Sequence, residues 1–524
     1  MINSMLPLPG LSPVSGKSVV ATFDGGLLSS DGGVLMLREV EQRLRIADRF
    51  AGCIEDQRAP DQITHALAGI IRFRLLMIAA GYEDGNGANG LRVDPIFKMA
   101  LDLSPSDREL CSQSTISRLE NVPDTRALLR MGRAMVDLYC ESFRQVPKRI
   151  VLDIDDTFDA VHGGQQLRLF NAHYDEYGFQ PIAVFDGEGR FVTAVLRPAK
   201  RPGGKEIRTF LRRLLRAIRT NWPNTQILLR ADSHYCCPEV LDWCRANGLD
   251  YILGVAPTTT LRRHIEGLEA STKARFEAAP EEGKARRFKE FFDGAASWSR
   301  VERIVARVEA SAEGPDTRFI VTNLKVRNAR VLYEDVYCRR GQAENHIKSW
   351  KTHLAADRTS CTKAAANQLR LFLHAGAYWL MWGLRVSMPR RSMWRVAQFD
   401  TLRLRLINVA ARVVEMKTMI SRRRAPPRIF CVSCSGVSRA SSPERRGAAP
   451  RMSSPSRQPA NILHPAFWLV AGEDAVRPRA SKTRNNHAGA LACTAFPSKR
   501  CIMGVSNDLG ALTFGVFVKL ERSS

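Results

Sequence analysis

From residue 34 to about 143, apolar residues recur at helical intervals. Leu35, Leu37, Val40, Leu44 and Ile46 mark a first helix through LMLREVEQRLRIADRF. A second runs through ITHALAGIIRFRLLMIAAG and should stop at Gly81. A third stretch begins at Ser114, read as an N-cap, and breaks near Pro123. Ahead of these helices, residues 1–16 are rich in Pro, Gly and Ser and read as a flexible start. TFDGGLLSSDGG (22–33) carries two Asp-Gly-Gly turns between short strands.

Near residue 149 the period changes. RIVLDID, PIAVFD and GRFVTAVL read as three strands. EIRTFLRRLLRAIRT (206–220) is a helix, QILLRAD (226–232) a strand, PEVLDWCRANG (238–248) a helix and DYILGVA a strand. Three strands, helix, strand, helix, strand predict an α/β core with a mixed sheet. Residues 257–330 break the alternation with a basic helical segment, KARFEAAPEEGKARRFKEFF, and two strand-like runs, SRVERIVARV and RFIVTNLKV. They are expected to be an insertion. Helical pattern resumes at ARVLYEDVYCRRGQAENHIKSWKTHL and continues to about 418. The expected division is a helical region at 1–145, the first part of the core at 146–256, the insertion at 257–330 and a helical completion of the core at 331–420. From 421 to 524 periodicity is lost and Arg, Ser, Pro and Ala dominate, so disorder or out-of-frame translation is expected there.

Charge narrows the function. Among 524 residues, 78 are Lys or Arg and 53 Asp or Glu, a formal charge of +25. Phosphate neutralisation explains such an excess, and the helical N-terminal region is a candidate DNA contact. No signal peptide and no membrane span are expected. The 12 cysteines offer one lone C-x-x-C, Cys431 and Cys434, and an adjacent pair, Cys236 and Cys237. No second pair sits at zinc spacing, so structural zinc is not expected, and free thiols in a reducing cytoplasm are.

Carboxylates supply the candidate chemistry. Asp153 and Asp155 lie two apart at a strand end and so share a face, with Asp156 on the other. Asp232 ends the strand ILLRAD, and Glu344 lies on a helix. Any one strand-end aspartate is more simply a turn former. An ordered set in a strongly basic chain can instead hold two hard cations for in-line phosphoryl transfer. The helix adds Y-x2-R-x3-E-x6-K, namely Tyr337, Arg340, Glu344 and Lys351. On a regular helix these offsets form one stripe, an acid between two cations that can hold phosphate oxygens. The plainer alternative is a solvated helix with an Arg340–Glu344 ion pair. Lys205, Arg208, Arg212 and Arg216 also share a helical face, either a DNA-backbone contact or a solvated surface. His162 and His173 are left out of the metal site, and His234 lies two residues beyond Asp232.

The helix signature is similar to that of insertion-sequence transposases of the Asp-Asp-Glu superfamily. VLDIDDT, HGGQQ, FNAHYDEYGFQPIAVFDGEG, LRP and LLRADSHY resemble the subgroup called the group 1 DDE domain, as do TFDGGLLSSDGGVLMLREV and GYEDGNGANGLRVDP. The resemblance covers roughly residues 18–418; the tail departs from it. It implies a ribonuclease-H-like core with a strand-rich insertion between the second and third acids. It maps the catalytic and metal-binding acids to Asp155, Asp232 and Glu344, with Asp153 and Asp156 in reserve for the first. It implies two Mg2+ ions, Mn2+ as substitute, and a transposase that cleaves element ends and joins them to target DNA. Tyr337, Arg340, Lys351, Lys205, Arg208 and Arg212 are the DNA-binding candidates. Double-stranded DNA and a homodimer or higher assembly are the expected partners, with no membrane, in the cytoplasm. A ribonuclease-H-like nuclease without strand transfer and an inactive DNA-binding remnant stay open as alternatives.

Overall fold

The computed structural model describes residues 11–15, 17–22, 25–325, 328–416, 420–424 and 517–519. Its frame is one mixed sheet of eight strands. In chain order these are β1 (Arg149–Asp156), β2 (Ile182–Asp186), β3 (Phe191–Val195), β4 (Gln226–Ala231), β5 (Asp250–Val255), β6 (Lys284–Asp293), β7 (Glu302–Ser311) and β8 (Gly314–Thr322). Across the sheet they run β3-β2-β1-β4-β5-β8-β7-β6. β4 is parallel to β1 and to β5, and every other neighbouring pair is antiparallel. The first five strands, in this order and sense, are the ribonuclease-H-like core. The central strands are buried on both faces, which is why β2 and β4 read as largely apolar runs rather than alternating ones.

Among the helices are α1 (Val34–Leu44), α2 (Leu67–Ala80), α3 (Thr125–Glu141), α4 (Gly204–Asn221), α5 (Pro238–Ala246), α6 (Gly341–Lys348) and α7 (Ala364–Ser387). α4 is strongly amphipathic: Ile207, Leu211, Leu214 and Ile218 are buried, while Lys205, Arg208, Arg212 and Arg216 are exposed. α7 is apolar nearly all round because it packs on α1, α2, α3 and β3 at once. The stretch Pro60–Ala80 contains an 18-residue window of mean hydropathy 1.6 and matches a membrane span in length and composition, which the sequence reading did not anticipate. In this fold Ile70, Ile71 and Phe73 through Ala80 are buried inside the protein.

Several elements differ from the sequence expectation. The first helix is not continuous to Phe50, because Arg45 takes φ +51 and starts a new turn at Ile46. The N-cap of the third stretch is Ser112, two residues before Ser114. The basic segment expected to be helical splits: a helix covers Glu266–Ala278, and Lys284–Asp293 is β6. Pro280 cannot continue the hydrogen bonding, Gly283 turns the chain at φ +77, and β6 then pairs with β7 along its whole length. The insertion therefore lengthens the core sheet by three strands. Packing also extends past residue 420, since Ile420–Arg424 pairs antiparallel with Ala411–Glu415 and Phe517–Lys519 pairs with Val20–Thr22. The rest of the tail, with Cys431 and Cys434, lies outside the described residues. The eight described cysteines are free thiols.

The second Asp-Gly-Gly turn has a packing reason. The Gly32 and Gly33 N–H groups donate to Val409 and Ile407 carbonyls at 2.8 and 3.0 Å. The buried Asp31 carboxylate accepts from Tyr82 Oη at 2.8 Å and Asn408 Nδ2 at 2.6 Å. A Cβ on Gly33 would lie 1.8 Å from the Leu406 carbonyl oxygen, which is backbone and cannot step aside. Gly33→Ala should therefore cost at least about 2 kcal/mol, read as a lowered urea midpoint. An unchanged midpoint would mean that the 403–409 segment does not dock on this turn.

α7 also carries a buried histidine. His374 Nδ1 lies 2.7 Å from the Leu354 carbonyl oxygen, and Nε2 has no partner. Burial, reinforced by the Arg74 and Arg370 guanidinium groups, holds its pKa down at about 3, while Glu120 bridges the two arginines. The folded state binds this proton less readily than the unfolded chain, whose histidine titrates near 6.5. Its contribution is thus present above pH 6.5 and lost as pH falls toward 3, about 2 kcal/mol between pH 7 and pH 5. His374→Asn keeps a donor for Leu354 but cannot titrate. Its melting temperature should fall less than the parent's between pH 7 and pH 5, and an equal fall in both proteins would refute the assignment.

Candidate active site

Parallel pairing of β1 with β4, in the register Asp153 opposite Arg230, carries Asp155 and Asp232 to the same end of adjacent strands. Asp155 is largely buried. Its pKa is raised to about 6, first by burial, against the opposing pull of Arg340, and further by the Asp232 and Asp156 carboxylates. Its Oδ2 accepts from Arg340 Nη1 at 2.8 Å. Asp232 caps the turn Ser233–Tyr235, accepting from the His234 N–H at 2.9 Å. His234 Nδ1 stands 3.7 Å from Asp232 Oδ2 and 4.0 Å from Asp156 Oδ1, so this histidine sits between two carboxylates.

The two reserve aspartates have other partners. Asp153 is 1% exposed and takes two hydrogen bonds of 2.6 Å from Arg230, a forked ion pair that leaves it no free oxygen. Asp156 accepts from Tyr235 Oη at 3.1 Å and from Gln180 Nε2. Sequence reasoning passed over Arg230, Tyr235 and Gln180. Arg230 had a signal: a charge within the apolar strand QILLRA needs a buried partner. Its Nη1 also donates to the Val336 carbonyl at 2.8 Å, which ties the signature helix to the sheet.

That helix is not regular. Wide π-type turns occupy Leu332–Tyr337 and Ser349–His353, and a tight turn covers Cys338–Arg340 before α6 begins. Arg340 and Glu344 stay neighbours, and it is Lys351, on the wide turn after α6, that leaves the stripe even spacing predicts. Arg340 turns inward to Asp155. Glu344 keeps 66% of its side chain exposed and meets Arg340 Nη2 at 3.5 Å. Lys351 turns into the fold, where its ammonium donates to Thr157 Oγ1 and the Phe158 carbonyl and stands 3.1 Å from Asp159 Oδ1 as an ion pair. With two hydrogen bonds and a buried carboxylate beside it, Lys351 is a strut here rather than a free cation. Burial lifts its partner Asp159 to about pKa 7 in spite of Lys351. Tyr337 is half-buried, with its hydroxyl over Gly254, where a Cβ would lie 2.7 Å from it.

Beside Asp232 opens a cleft of about 380 Å3, lined by Ser233, Tyr333, Tyr337 and Arg340 and, from the inserted strands, Arg307 and Arg318. Lys205, Arg208 and Arg212 stay on the exposed face of α4. His162 and His173 are exposed on the segment between β1 and β2. Among the described residues, no three acidic, histidine or cysteine side chains gather closely enough to hold an ion. The structure brings Asp155 and Asp232 together with Asp156, and it separates Glu344 from them by the Arg340 guanidinium. The donor chemistry still fits a hard cation at the Asp155–Asp232 pair. Carboxylate oxygens are the right ligands, and their repulsion within a buried site favours a positive charge, which Arg340 supplies here.

Comparison with known proteins gives the family. No curated protein matches the chain. Among solved structures, one similar chain is the piggyBac transposase in a synaptic complex with hairpin DNA, at 11% identity and a TM-score of 0.35, covering 74% of this chain and 82% of that one. The family described as "Transposase DDE domain group 1" matches residues 11–424. That span takes in the N-terminal turn, the whole core sheet, the insertion and the signature helix, and on it the chain belongs to the group 1 family of transposase DDE domains, enzymes that cut and join DNA.

Proposed function

We propose that this transposase hydrolyses a phosphodiester at each element end and uses the freed 3′-hydroxyl to attack target DNA. Asp155, Asp232 and Glu344 are the acids assigned to two divalent cations, Mg2+ or Mn2+. The observation that carries this reading is the meeting of Asp155 and Asp232 at the ends of parallel strands, where Asp155 is held near pKa 6. When bound, two such ions lower the pKa of a water and neutralise the leaving oxygen.

The chain's own residues do the rest. Asp155 and Asp232 fix where the charged centre forms. Arg340 neutralises Asp155 until DNA arrives and then has phosphate oxygens as a competing partner, which frees Asp155 and opens the way for Glu344. Tyr337 and the arginines of the cleft line the approach to Asp232. Lys205, Arg208 and Arg212 face solvent on α4 and supply sequence-independent contacts to the duplex backbone. A homodimer or larger assembly would bring two element ends together.

Two experiments test the reading. Mg2+ or Mn2+ should raise the melting temperature of the parent protein. Asp155→Asn and Asp232→Asn should abolish that shift and lower end cleavage by about 10³ or more, and Glu344→Gln should lower cleavage likewise. Cleavage that survives Asp155→Asn sinks the site. Cleavage with no joined product in a strand-transfer assay leaves a nuclease instead. Separately, replacing Lys205, Arg208 or Arg212 with Ala should reduce the slope of log affinity against log salt by about one unit each, for any duplex sequence. A slope that stays fixed in all three variants would make α4 a solvated face.

A further inference from the structure

Between β1 and β2 the chain leaves the sheet at Thr157 and returns at Pro181, and the two flanking residues, Asp156 and Ile182, are register partners. The excursion therefore rises from the same strand end as Asp155. It forms a small sheet of its own, Asp159–Ala160, Glu176–Phe179 and Leu169–Asn171 in that order. Its base is fixed to the signature helix, because Lys351 grips Thr157, Phe158 and Asp159. Asn171 and Gln180 link it back toward Asp156.

What it presents is unusual for a soluble surface. Leu167, Leu169, Phe170, Tyr174 and Tyr177 are all exposed, Phe170 by 45% and Tyr177 by 48%. Phe170 and Tyr177 are cross-strand partners with ring centroids 5.4 Å apart, and the Arg168 guanidinium lies 4.5 Å over the Tyr177 ring. Tyr174 stacks flat on Phe158 at 4.2 Å and 10°. Leu167 and Asp175 hold φ +68 and +53, a backbone cost for residues that are not glycine. The tip carries Asp175 and Glu176, which repel a phosphate backbone. Beside those acids, the exposed rings favour a partner's flat, uncharged faces over its phosphates. The partner must also reach a hairpin rooted beside the cleavage centre.

We propose that this excursion is a stacking platform for unpaired DNA bases next to the cleavage site, seated on Phe170 and Tyr177. The inference rests on the transposase reading above, since it is DNA held at Asp155 that must pass the platform. Aromatic rings take any base by stacking, and a guanidinium plane already lies over Tyr177. Lys351 is accordingly a positioning residue: it ties the root of the platform, at Thr157, Phe158 and Asp159, to the signature helix.

The full chain, in EDTA so that nothing is cut, is titrated with three mixed-sequence probes: a single strand, a duplex with a short unpaired end, and the fully paired duplex. Phe170→Ala and Tyr177→Ala should each weaken binding of the first two by about tenfold and leave the third unchanged. Tyr177→Phe and Phe170→Tyr, which keep the ring, should bind as the parent does. Equal losses on all three probes, or no loss on any, overturn the platform. Unchanged DNA affinity with a smaller assembly by light scattering overturns it in favour of a contact between copies of the chain. If the parent protein binds no DNA at all, the transposase reading falls with it; if it binds duplex but the ring variants do not discriminate, only the platform falls.

Discussion

A buried ion pair, Asp153 with Arg230, holds three things in place. It joins β1 to β4 at one register position, and the same guanidinium reaches the Val336 carbonyl on the signature helix. Burying two charges is costly unless geometry and hydrogen bonding are nearly complete, and here the fork takes both carboxylate oxygens. Removing either partner would leave the other charged and unpaired in a dry interior. The pair thus acts against any slip between the two strands. A slip by one residue would turn Asp155 to the opposite face, away from Asp232.

Positive charge is used in two ways. Arg340 and Lys351 face inward, where each neutralises an aspartate whose pKa burial has raised, Asp155 to about 6 and Asp159 to about 7. They set the local field and anchor the excursion. Lys205, Arg208 and Arg212 face outward and have no such duty, so they are free for a polyanion. A formal charge of +25 does not distinguish these roles, and only the second kind adds to long-range attraction.

The strands of residues 257–330 wall the cleft beside Asp232. Because β8 pairs with β5, the inserted strands carry Arg307 and Arg318 to the wall of the cleft that opens at Asp232. Phosphodiester chemistry needs groups that position a strand as well as groups that react with it. A sheet extension sets such groups more rigidly than a loop would, since each strand is hydrogen-bonded to the next.

Much of this was legible in the chain. Apolar runs and their spacing gave the strands of the core and the helices between them, because burial on two faces or one leaves a period in the sequence. The acids at strand ends were visible for the same reason, and Asp155 and Asp232 do meet. Other features were not legible. Even spacing put Tyr337, Arg340, Glu344 and Lys351 on one stripe, and Arg340 and Glu344 do stay neighbours, but Lys351 lies on the wide turn after α6 and faces Asp159 instead. KARRFKEFFD has no strong strand pattern, and it became β6 only because β7 offered an edge. The partners of Asp153, Asp156 and Lys351 lie far away in sequence, so no local pattern names them. Sequence alone determined which residue types stand at which strand ends, since that follows from periodicity. Tertiary structure decided which of those acids are left free and which are neutralised, because the cost of a buried charge depends on neighbours that only the folded chain brings near.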